Sequence, residues 1–77
     1  MPPEKLLHMA NQIGKFFASQ PHSDAPAAIA DHLRKFWDPR MRREIVAYLE
    51  RGGDGFDSVV REAVQLLAAQ DGARKTA

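Results

Sequence analysis

Leu6, Ala10, Ile13 and Phe17 recur at intervals of three or four residues. At about 100° per residue this spacing gathers them into one stripe. Met9 and Phe16 flank the stripe, while Glu4, His8, Asn11, Gln12 and Lys15 fall on the opposite side. The pattern predicts an amphipathic helix from about Pro3 to Ser19. Gly14, inside it, costs about 1 kcal/mol relative to alanine and marks a place where another backbone can approach closely.

The same period returns three times. Ile29, Leu33 and Phe36 form a second stripe with Ala25, Ala30 and Trp37 at its margins, and Ser23 or Asp24 can cap its start with Pro26 in the first turn. Asp38 followed by Pro39 reads as an N-cap and first helical residue, after which Met41, Ile45, Tyr48 and Leu49 repeat at helical spacing. That third helix should end near Arg51, where Gly52 supplies a left-handed cap. Asp57 or Ser58 can open a fourth, with Val60, Ala63, Val64 and Leu67 on one face and Val59 and Leu66 widening it. It should fade by Gln70, leaving 71–77 as a frayed polar tail.

No run alternates apolar and polar residues over the length of a strand. The expected fold is therefore all-α: a compact single-domain bundle of three to four helices spanning 1–77, ordered from about 4 to 69, with short connections that favour antiparallel neighbours. A chain of 77 residues has room for one small core. Such a core yields about 3 to 5 kcal/mol of net stability, which invites a partner. Two features point the same way: Leu7 stands about 100° from the first stripe, and the apolar arc of the fourth helix is wide for so small a domain.

Composition narrows the chemistry. Without cysteine there are no disulfides and no thiolate metal sites. No apolar run approaches membrane-spanning length, and the start of the chain lacks a signal-peptide core, so the expectation is a cytoplasmic protein without a membrane role. A net charge of +1 is far from the basic excess of a nucleic-acid-binding domain, and no nucleic-acid partner is expected. His8, His22 and His32 lack the spacing that puts two metal ligands on one helical turn, so no metal site is expected. His32 reads as a packed residue at a helix edge. The glycines at Gly52, Gly53 and Gly55 lack a phosphate-loop context, and Asp54 with Asp57 reads as solvated loop charge. No catalytic residue is expected.

One segment stands apart. From Arg34 to Arg43, five basic side chains meet one acid, a local excess of +4 that leaves −3 for the rest of the chain. Arginine and tryptophan are enriched at interface hot spots. Arg34, Lys35, Trp37, Arg40, Arg42 and Arg43 are accordingly the candidate partner-binding residues, with Asp38 and Pro39 as the helix cap between them. The plainer alternative is a solvated junction, with Phe36 and Trp37 both in the core and Arg40 paired to Glu44.

The stretch Lys5-Leu6-Leu7-His8-Met9-Ala10-Asn11-Gln12-Ile13 with Phe16-Phe17, then Ala30-Asp31-His32-Leu33 and the run Phe36-Trp37-Asp38-Pro39-Arg40-Met41-Arg42, resembles the delta subunit of NAD-dependent, molybdenum-containing formate dehydrogenases. Tyr48-Leu49 before the glycine turn and Val60-Arg61 extend the resemblance over about residues 4 to 68, and 21–26 is a loop where such proteins vary. The resemblance implies a non-catalytic subunit that supports assembly, cofactor loading or stability of an alpha subunit. That complex would carry bis-molybdopterin guanine dinucleotide, iron-sulfur clusters, FMN and NAD, none of them bound by this chain alone. The competing classes are a small helical DNA-binding regulator, which would show a strong salt dependence of binding, and a self-associating helical adaptor.

Overall fold

The computed structural model describes residues 2–20 and 24–76, with side chains up to Asp71. Four helices follow in order: α1 (Pro3–Ala18), α2 (Ala25–Phe36), α3 (Pro39–Glu50) and α4 (Ser58–Thr76). Among the described residues there is no strand. Each of the first three helices opens with a proline in its first turn, where the missing N–H removes a donor that no helix would satisfy. Asp24 caps α2 by accepting from the Ala27 amide at 3.4 Å, and Asp38 caps α3 by accepting from Met41 at 2.9 Å. Ser23, the other proposed cap, and His22 lie outside the described residues.

The core is a contiguous cluster of Leu6, Ala10, Ile29, Ala30, Leu33, Trp37, Ile45, Val60, Ala63, Val64 and Leu67. α2 and α4 make the largest helix-to-helix interface; α3 packs on α4, and α1 lies across α2 and α3. Burial of Ile29, Ala30 and Leu33 centres the inner face of α2 on Leu33. Phe36 then stands about 60° to one side of that centre, as Ala30 does to the other. It is 72% exposed, against the stripe position expected from the pattern. Trp37 takes its place at 6% exposure. The reason is local: α2 has ended, Trp37 adopts extended backbone (φ −91°, ψ 138°), and its side chain leaves the helical register for the core.

Gly14 is the close-approach position. A Cβ there would stand 2.2 Å from Cγ2 of Val60, itself fully buried on α4. Gly14→Ala should therefore force a shift costing about 1 to 3 kcal/mol, offset by about 1 kcal/mol of helix propensity. A lower urea midpoint is expected, recovered in Gly14→Ala/Val60→Ala. A midpoint above wild type would mean that Val60 yields freely.

Two other expectations change. α4 continues past Gln70 to Thr76, because Ala68, Ala69, Gln70, Ala73, Arg74 and Lys75 are good helix formers and Gly72 alone does not stop a helix. Leu7 is partly covered: the loop after α3 lies on it, with a Cβ at Gly55 standing only 3.0 Å from Leu7 Cδ2.

Candidate partner-binding surface

The turn from α2 to α3 sets the geometry of the cationic segment. Arg34 and Lys35 occupy the last turn of α2, where a positive charge complements the helix dipole. Both are engaged within the fold. Arg34 donates to Asp31 Oδ1 at 2.8 Å and to Gln70 Oε1 at 2.6 Å, while Lys35 pairs with Asp31 Oδ2 at 3.0 Å. The hydrogen bond from Lys35, with a smaller contribution from Arg34, holds the Asp31 carboxyl below its ordinary value.

Arg40, Arg42 and Arg43 differ. They sit at the start of α3, which has no acid in its first turn and no base in its last. This reverses the arrangement a helix dipole favours, since the amino-terminal end already carries partial positive charge. None of the ion pairs among the described residues engages any of the three. Arg40 and Arg43 are exposed; Arg42 is half-buried, and its Nε has no hydrogen-bonding partner among the described residues. Three guanidinium groups with no ion pair among the described residues, at a positive helix end, form a concentrated site for an anionic surface.

Beside this corner runs a series of rings. Phe16 meets Phe17 edge-on at 5.2 Å, Phe17 meets His32 at 5.7 Å, and His32 lies tilted against Phe36 at 4.7 Å. His32 is thus the packed helix-edge residue that its position suggested. Phe16 is 60% exposed, so both ends of the series face solvent. Trp37 is the one proposed contact residue that the structure buries almost completely.

A second cluster, which periodicity did not reveal, holds the loop between α3 and α4. The carboxamide of Asn11 donates to the carbonyl of Gly55 at 3.0 Å and accepts from the amide of Asp57 at 3.1 Å. Tyr48 donates its hydroxyl proton to the carbonyl of Asp54, and Arg61 donates to the carbonyls of Gly52 and Gly53 while lying over the Phe56 ring. Lys15 pairs with Asp57 at 3.1 Å, so that aspartate is an ion-pair partner rather than free loop charge. At the start of the loop, Gly53 N donates to Tyr48 O and Gly52 N to Leu49 O, a Schellman closure that needs the positive φ of 121° at Gly52. The only sequence signal for Asn11 was its polarity, which placed it on the solvent side of α1. The loop folds back over that side.

Among the described residues no group of three or more His, Cys, Asp or Glu could hold a metal ion. No described helix is long and apolar enough to cross a membrane. His8 contacts Gln12 at 3.4 Å on an exposed face. An open groove lies between the start of α2 and α4, lined by Asp24, Pro26, Glu62, Gln65, Leu66 and Ala69.

Among the described residues, four helices around one core, with an arginine cluster outside it that makes no ion pair, define a small all-α protein whose distinctive chemistry lies on its surface. The family model of the NADH-dependent formate dehydrogenase delta subunit, FdsD, matches residues 5–64. The chain belongs to that family, and the match takes in the α2–α3 corner, the aromatic series and the stapled loop. No curated protein and no solved structure matches it.

Proposed function

We propose that this chain is a non-catalytic subunit that docks onto the molybdenum-containing alpha subunit of an NAD-dependent formate dehydrogenase and supports its assembly, cofactor loading or stability. One observation carries the reading: three arginines with no ion pair among the described residues crowd the positive end of α3 in a chain of the delta-subunit family. Arrangements that oppose the helix dipole cost stability, so a return in binding accounts for them. Redox centres belong on this reading to the other subunits, because thiolate-held iron-sulfur clusters need cysteine and this sequence has none. Bis-molybdopterin guanine dinucleotide, FMN and NAD are assigned to those subunits as well, and the complex to the cytoplasm. An acidic protein surface suits the arginines better than the cofactor itself, since a bundle of this size has little interior to enclose so large a ligand.

The test exploits opposite signs. Replacing Arg40, Arg42 and Arg43 jointly with alanine removes like charge from a helix start, which should leave the melting temperature equal or higher. The same variant should lose co-purification with the alpha subunit. Asp38→Ala is the control: it should cost about 0.5 to 2 kcal/mol through the lost cap, yet retain the charged contacts. Co-purification of the triple variant at unchanged yield would contradict the assignment.

A further inference from the structure

Phe16 and Phe36 are two of the largest apolar side chains in the chain, and both face solvent, at 60% and 72% exposure. They are not scattered. Phe17 and His32 link them through successive ring contacts, so residues from α1 and α2 build one ridge. Rings already held by edge and tilted contacts lose little freedom when they enter a pocket, which is what an interface anchor requires. Phe36 lies at the end of α2, four positions before Arg40, so the chain itself keeps that end of the ridge within about 15 Å of the start of α3.

Charge at this corner is predominantly positive. Of the nearby carboxylates, Asp31 is paired with Arg34 and Lys35, and Asp38 caps α3. Asp38 and Glu44 keep their negative charge beside the α3 arginines, but from Arg34 to Glu44 five basic residues face two acidic ones, so the balance of the segment still favours an acidic partner.

We infer that the ridge of Phe16, Phe17, His32 and Phe36 is the apolar anchor of the docking surface, and that its occupant is a groove on a subunit of the enzyme complex, apolar at its floor and acidic along the rim that meets Arg40 and Arg43. This rests on the docking reading above and names the chemistry of the partner surface. The ridge supplies the desolvated centre and the arginines supply the rim. Affinity should depend on both, but salt should weaken only the rim.

The experiment adds the full chain to the remaining subunits of its complex, purified without it, and measures affinity across a salt series. Phe16→Ala/Phe36→Ala should stay folded by circular dichroism and bind at least about tenfold more weakly with an unchanged salt slope. Removing Arg40, Arg42 and Arg43 should flatten that slope. Phe36→Tyr, which keeps the ring, should bind within about twofold of wild type. Phe36→Lys alone serves as the second variant, at the more exposed position, and should also lose at least about tenfold. Unchanged affinity of the folded double variant would overturn the ridge and leave the docking reading standing. A wild-type chain that fails to bind the subunits at all would overturn both. If wild type self-associates and the double variant is monomeric with unchanged affinity for the complex, the ridge is a contact between copies and the inference fails.

Discussion

Trp37→Ala is expected to leave the isolated chain largely unfolded at 25 °C. Trp37 is 6% exposed and belongs to the same cluster as Leu33, Ile45 and Leu67. Truncating a buried tryptophan to alanine costs about 3 to 5 kcal/mol, through lost transfer energy and the cavity left behind. A single-core domain of this length holds about the same amount in total. The substitution should therefore exhaust the margin, and circular dichroism at 25 °C should show helix loss. Phe36→Ala, one residue earlier but largely exposed, should change stability by no more than about 0.5 kcal/mol. The contrast between neighbours separates a core role from an interface role. A folded Trp37→Ala with normal melting and lost partner binding would return Trp37 to the surface.

Loss of the whole chain should have the largest effect on the enzyme, and it follows from the proposed docking role. On that reading the chain contributes no electron carrier and no acid-base group to the path from formate to NAD, so it changes rate through the number of competent centres. Complexes made without it should carry less molybdenum cofactor, or lose it sooner. The centres that are loaded should turn over at nearly the normal rate. Because binding stabilises only the form that is bound, the deficit should deepen as the subunits are diluted or warmed.

Helix number and placement were legible because every apolar run has a period near 3.6 and each gap has its own turn chemistry: Asp24 and Asp38 as caps, Gly52 and Gly53 closing α3. The end of α4 was not, since a polar composition resembles a tail even where alanine, arginine and lysine sustain a helix. The order of Phe36 and Trp37 was lost for a different reason. A helical wheel holds only inside the helix, and Trp37 lies one residue beyond it. The cationic segment was visible as composition, but its division was not. Asp31, which lies outside the Arg34 to Arg43 window, pairs with both Arg34 and Lys35 and offsets one of their two charges, so the basic residues of the segment with no ion pair among the described residues are those of α3. Asn11 and Leu7 were misread together, because what covers them is a loop more than forty residues away in sequence, and periodicity carries no information about such contacts.

The central claim is tested most directly by measuring molybdenum content and formate-dependent NAD reduction on the same purified complexes, prepared with and without this subunit. The account predicts a lower molybdenum content, or a faster loss of it, in complexes that lack the chain, with NAD reduction per molybdenum close to that of the complete enzyme. Equal molybdenum content and equal stability, together with a large fall in turnover per molybdenum, would place the subunit in catalysis itself and contradict the account.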